Sequence, residues 1–329
     1  MDTPEEVFDW AVRRREIAAG ALDLASVDDA ELRTTLNHFR TGFAAALLAD
    51  GAHANTRGVR LAYHFDFVDV ESIRAFAFRE DGISCIGISK GLVRGATLYC
   101  VAVQLSQRMP SIIGVSEQAR DNIASAMLQF LLGFVVCHEY AHHFWCDIGP
   151  ESKVELLEEF ATDASGGLDS QIREVRADGY ALHLVLENLM DGPLRSALIA
   201  RLGIEDFNWQ NRVLLSLAIV GISGFFLLNA GGERVPLTEE AIRSRSHPPV
   251  ATRLICIMEE MQIWANVNSS FDVSGWVNRY NFQRLRARFS EPDPWKDEIE
   301  FMQTTAWRTY WTDLISGVNR LRTQRRAEP

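Results

Sequence analysis

His138-Glu139-Tyr140-Ala141-His142 places two imidazoles and a carboxylate within one short stretch. On a helix, two histidines four apart share a face about one turn apart, so both rings can reach one metal ion. Glu139 points to a neighbouring part of that surface, where it can take a proton from a water acidified by the metal. Such a pattern also arises by accident, so its setting decides its weight. Ahead of it stand Ile123, Ala124, Met127, Leu128, Phe130, Leu131, Leu132, Phe134, Val135 and Val136, behind a helix start at Ser116-Glu117-Gln118. A helix apolar nearly all round is buried, and two histidines and a glutamate inside it are costly unless paired or bound to metal.

A third ligand is still needed. The stretch from Ser170 to Leu182 suits a second helix, with Glu174 and Asp178 four apart on one face. One carboxylate can complete a His-His-Glu zinc set with an open fourth position, and the other can hold a ligand histidine by its distal N–H. The alternative is a surface helix with two ordinary acids. Cys137 and Cys146 flank the motif. Cys146 shares the His142 face if the helix continues, but Glu174 already completes the set.

H-E-x-x-H followed by Glu174-Val175-Arg176-Ala177-Asp178 resembles the M48-type zinc metallopeptidases (HtpX-like and CAAX prenyl proteases) of the gluzincin group. Ile73 to Phe78 and Gly82 to Leu92 resemble that family's N-A-F-A…G-x-I-x-V-x-x-G-L strand pair, with Arg74 where the family has asparagine. Ser246-His247-Pro248 through Arg253-Leu254 resembles its S/T-H-P-x-x-x-x-R-I/L segment. More loosely, the chain is similar to the Lit-like cytosolic peptidases linked to phage exclusion. The resemblance implies an α+β, mostly helical, zincin-like catalytic domain with a small antiparallel sheet and an active-site H-E-x-x-H helix. It implies one zinc ion per chain held by His138, His142 and Glu174, with Glu139 as general base and Asp178 orienting a ligand histidine. His247 and Arg253 would line the cleft; a buried ion pair is the other reading of Arg253. The strand carrying Ala75, Phe76 and Ala77 would bind substrate backbone as an added strand.

The rest of the chain must position these groups. Thr3-Pro4-Glu5-Glu6 has the form of a capping box, with a helix following to about Ala25. Ser26 is placed to cap a second helix, from Asp28 to Leu48. Residues 59–67 alternate as a half-buried strand, and strands at 73–78 and 83–89 flank the turn residues Arg79 to Gly82. These three make the expected antiparallel sheet. Nearly everything after Leu92 reads helical, apart from a polar acidic stretch from Glu151 to Asp169, whose Gly166-Gly167 suits a cleft cover, and a turn at Gly231, Gly232 and Pro236. The expected division is an N-terminal helical segment (1–55), a metallopeptidase domain (56–266) and a C-terminal helical extension (267–329).

The 329 residues carry a net charge of −11, which argues against a nucleic-acid surface. Local clusters at Arg279, Arg284, Arg286 and Arg288 and at Arg320, Arg322, Arg325 and Arg326 read as solvated helix faces. Five cysteines without C-x-x-C spacing, and an acidic N-terminus, point to the cytoplasm. Val213 to Ala230 is uncharged and near the length of a membrane span. A single span there would separate Glu174 from His247, and Gly221, Ser223, Gly224 and Asn229 suit lipid poorly, so a buried core helix is expected.

The expected activity is peptide-bond hydrolysis of a protein or peptide substrate, with His247, Tyr180 or His183 as second donor to the oxyanion. Three alternatives remain open: a selective protease acting on one host protein as a toxin or phage-defence effector, a zinc-binding regulatory protein of the same fold without turnover, and an integral membrane protease.

Overall fold

The computed structural model describes residues 3–50, 54–105, 117–148, 157–158, 167–192, 194–229, 238–268 and 296–324. The Ser116 cap, the acidic stretch from Glu151 to Gly166 except residues 157 and 158, the turn at Gly231, Gly232 and Pro236, and the arginines from Arg279 to Arg288 with Arg325 and Arg326 lie outside them.

The first helix, α1 (Pro4–Arg14), starts on the expected box: Thr3 Oγ1 accepts from the Glu6 N–H, and the Glu6 carboxylate accepts from the Thr3 N–H. It stops well before Ala25. Glu16 takes a φ of 58°, and the chain turns to the sheet, where the Leu22 N–H donates to the Phe67 carbonyl at 2.8 Å. Pairing with a strand overrides helix propensity here. Ser26 ends a short 3-10 turn, Leu24–Ser26. Asp29 caps the second helix, α2 (Ala30–Asp50), its carboxylate accepting from the N–H groups of Glu31 and Leu32 at 3.0 Å each.

Four strands, β1 (Ala62–Val68), β2 (Ala75–Glu80), β3 (Ile83–Ser89) and β4 (Leu157–Glu158), form one sheet in the order β1-β3-β2-β4. The sheet is mixed, which corrects the antiparallel expectation. Asp81 and Gly82, with φ of 47° and 79°, close a two-residue hairpin that makes β2 and β3 antiparallel. The chain reverses twice between β1 and β3, so the two run the same way. Because β3 rather than β2 lies beside β1, their pairing is parallel, with Phe65 opposite Ile86. One face carries Phe8 of α1 over Phe76 and Phe78, at ring distances of 6.5 and 5.9 Å. The other carries Phe43 of α2 edge-on to Phe65 at 5.3 Å. Covered on both sides, the end of β1 buries Asp66 as well as Phe65 and Phe67. Arg40 pairs with Asp66 at 2.5 Å.

The remaining described α-helices are α3 (Lys90–Leu105), α4 (Ile123–Phe144), α5 (Gly167–Leu186), α6 (Leu194–Leu202), α7 (Phe207–Asn229), α8 (Glu239–Arg243), α9 (Val250–Val267), α10 (Lys296–Phe301) and α11 (Thr305–Gln324), with a 3-10 helix at Glu117–Asn122 and a π-helical turn at Glu187–Asp191. The chain groups into two compact units, one of Met1–Leu98 with Val135–Ala161, the other of Tyr99–Phe134 with Thr162–Pro329. The N-terminal helices thus belong with the sheet, and α11 belongs with α5. In the second unit, α7 is a core helix. Among the described residues two helices are long and apolar enough to cross a membrane, but their most apolar stretches are 72% buried in α4 and 83% buried in α7. The small residues of α7 mark where neighbours approach. A Cβ on Gly221 would sit 2.7 Å from the Met127 carbonyl oxygen, and one on Gly224 would sit 2.2 Å from the Tyr99 ring. The Tyr99 hydroxyl in turn donates to the Val220 carbonyl.

Candidate metal centre

The H-E-x-x-H residues occupy the last two turns of α4. Their position follows from the apolar run ahead of them, in which Ile123, Met127, Phe130, Leu131, Leu132, Phe134 and Val135 are fully buried. The helix carries its polar end inward with it, and His138, Glu139 and His142 are each only 1% exposed. The two Nε2 atoms of His138 and His142 stand 3.1 Å apart. Two nitrogens bound to one tetrahedral zinc at 2.0–2.1 Å are separated by about 3.3 Å, so the rings are already near the spacing of a shared ion.

The end of α4 sets the orientation of His142. Cys146 takes a left-handed φ of 57°. Its N–H bonds to the His143 carbonyl, and the Asp147 N–H bonds to the His142 carbonyl at 2.9 Å. This is a Schellman turn, built here without glycine. It folds Asp147 back over the last turn, and Asp147 Oδ2 lies 3.2 Å from His142 Nδ1. Both side chains are buried. The same turn takes Cys146 off the His142 face, and its sulfur lies 3.4 Å from Thr56 Oγ1. The thiols of Cys85, Cys100 and Cys256 are all pushed up by burial, that of Cys100 to about 12.

His143, next in sequence, faces away from the pair. Its Nε2 lies 3.1 Å from the Cys85 carbonyl on β3, and its ring meets Tyr63 edge-on. A carbonyl only accepts, so Nε2 carries the proton. Complete burial brings the His143 pKa down to about 3, with the Cys85 hydrogen bond opposing that shift.

On α5, Glu174 and Asp178 share one face as the spacing requires, and both are buried. Arg253 of α9 lays its guanidinium on Asp178, with Nε and Nη2 bonds of 2.8 and 2.7 Å. The same guanidinium stands 3.8 Å from Glu174 Oε2 and packs over the Phe226 ring. Arg253 thus makes the buried ion pair with Asp178, and the Asp147 carboxylate meets His142. His247 Nε2 lies 3.5 Å from Glu174 Oε2, and its Nδ1 lies 2.8 Å from Ser246 Oγ, so the His-Pro segment does reach the Glu174 face. Tyr180 and His183 do not share that face. At about 100° per residue they lie roughly 120° and 180° round the helix from Glu174. His183 instead meets Glu260 at 3.3 Å. Burial raises the Glu260 pKa, but His183 and Arg322 outweigh it and hold the carboxyl below its usual range.

His138, His142 and Glu174 form a buried group whose ligand atoms all lie within 4.8 Å of one another. Two imidazole nitrogens and one carboxylate oxygen are the donor set of a catalytic zinc site with room for a further ligand. The residues present thus fit the metal that the motif implies. Asp147 is the residue that spacing did not single out; the only sequence signal was an acid just past the end of the motif helix.

The proposed substrate strand is differently placed. Ala75, Phe76 and Ala77 are fully buried, and the Phe76 ring lies over Gly87 of β3. Only their backbone could meet a substrate. Over Phe76 and Ala77 the backbone pairs with β4, Phe76 opposite Glu158 and Ala77 opposite Leu157.

Compared with known proteins, the chain matches no family model, no curated protein and no solved structure.

Proposed function

We propose that this chain is a zinc-dependent endopeptidase of M48-like character, acting on a protein or peptide in the cytoplasm. The observation that carries the reading is the buried His138–His142–Glu174 group with Glu139 beside it on α4. Zinc, when bound there, supplies a Lewis acid that polarises the scissile carbonyl and lowers the pKa of water. Glu139 takes the proton of the attacking water and delivers it to the leaving amine. Burial of Glu139 keeps bulk water from competing for that proton. His247, beside Glu174, is the best-placed side chain to donate a hydrogen bond to the developing oxyanion. Arg253 and Asp178 hold the Glu174 face in place through their own ion pair. The burial of α4 and α7 supports reading them as core helices and not as membrane spans.

Metal content and mapping of new protein N-termini, compared between wild type and Glu139→Gln, test the reading. Equimolar zinc in both proteins and cleavage by wild type alone are expected. Absence of zinc, or the same cleavage by both, removes the endopeptidase. One observation favours the regulatory alternative, a zinc protein without turnover: β4 already occupies the β2 backbone offered to substrate. That protein binds zinc and leaves the same N-termini with or without Glu139.

A further inference from the structure

We infer that Asp147 is the positioning residue of the metal centre, holding His142 in the tautomer and ring orientation that ligation needs. The inference rests on the zinc reading of His138, His142 and Glu174, but it concerns a residue outside the H-E-x-x-H and E-x-x-A-D patterns.

Asp147 Oδ2 lies 3.2 Å from His142 Nδ1. An ionised carboxylate only accepts, so Nδ1 carries the proton and the Nε2 lone pair is left for a metal. It is Nε2 that stands 3.1 Å from His138 Nε2. The two nitrogens of His142 are therefore divided between a carboxylate on one side and the ligand group on the other. Both side chains are nearly excluded from solvent, at 2% and 7% exposure, so the carboxylate acts on the ring with little screening. The Asp147 backbone is fixed as well. Its N–H is tied to the His142 carbonyl at 2.9 Å by the turn at Cys146. The residue is thus anchored twice to the ligand it orients, once through its backbone and once through its side chain. Loss of a partner of this kind typically lowers metal affinity by about 10–100-fold.

The test measures the zinc dissociation constant by competition with a chromophoric chelator. It uses wild type, Asp147→Ala and Asp147→Asn, alongside the absorption spectrum of each protein loaded with cobalt in place of zinc. Thermal melting of the metal-free proteins reports separately on the fold. Asp147→Ala is expected to bind zinc about 10–100-fold more weakly, with an altered cobalt spectrum. Asp147→Asn keeps an acceptor oxygen without the charge, so it should recover part of the affinity and most of the spectrum. Wild-type affinity and spectrum in Asp147→Ala overturn the inference while leaving the zinc reading intact. If Asp147→Ala fails to fold, Asp147→Asn decides: weaker zinc binding at an unchanged metal-free melting temperature supports the inference, and unchanged binding overturns it. Wild type that takes up neither metal overturns the zinc reading and this inference with it.

Discussion

Two buried charges decide much at the scale of single residues. Arg253 and Asp178 are 3% and 0% exposed and joined by two short bonds. Removing one partner strands the other charge in the interior, so Arg253→Met should lower stability by about 3–5 kcal/mol in chemical denaturation. The double variant Arg253→Met/Asp178→Leu should recover most of that loss; no recovery would show that the arginine acts through some other contact. His143 gives a pH dependence. Its folded pKa is depressed to about 3, against an ordinary value of 6.5. Between those values the unfolded chain binds a proton that the folded chain refuses, so stability is full above pH 6.5 and falls on acidification. The slope is about 1 kcal/mol per pH unit and ends near pH 3. Burial depresses His64 in the same direction. Urea melts between pH 7 and 5 should show a shallower loss in His143→Gln than in wild type, and equal slopes would remove His143 from the account.

At the scale of elements, close packing in the sheet yields a sharper test. Gly87 on β3 lies opposite Phe76 on β2, and a Cβ there would come within 2.2 Å of the Phe76 ring. Gly87→Ala should therefore destabilise the first unit by about 1–3 kcal/mol, read as a shift in its denaturation midpoint. A neutral result would mean that Phe76 moves aside freely, against its place in the cluster with Phe8 and Phe78. The same strands mark what sequence reading could reach. The turn was legible as Arg79 to Gly82, but its tightness was not: Arg79 and Glu80 continue β2, and Asp81 and Gly82 turn the chain with two positive φ values in succession. The partner of β1 was not legible, since alternation says which residues face inward but not which neighbour a strand takes. The motif helix was legible from its apolar run, and Glu174 and Asp178 from their spacing. Asp147 was not, because its approach to His142 depends on Cys146 adopting a conformation that favours glycine, which no local pattern signals. The early end of α1 was hidden for a similar reason: it is fixed by pairing of Leu22 with Phe67, far along the chain.

For the whole molecule, the candidate donors His138, His142 and Glu174 come from two helices well separated in sequence, α4 and α5. An unfolded chain does not hold His138, His142 and Glu174 together, so an ion that needs all three binds the folded chain alone. By linkage, a thousandfold excess of free zinc over its dissociation constant adds about 4 kcal/mol to folding stability. Melting of the chelator-stripped protein should therefore begin at a lower temperature than that of the zinc-loaded protein, and restoring zinc should reverse the shift. Weaker binding elsewhere, at the surface acids of a chain with net charge −11, would also respond to metal. A variant separates the two effects. His142→Ala removes one donor and leaves the surface charge nearly unchanged, so it should melt alike with and without zinc. If His142→Ala still gains stability from zinc as wild type does, the ion is held elsewhere. If neither protein responds, the burial of the three donors serves packing and not a metal.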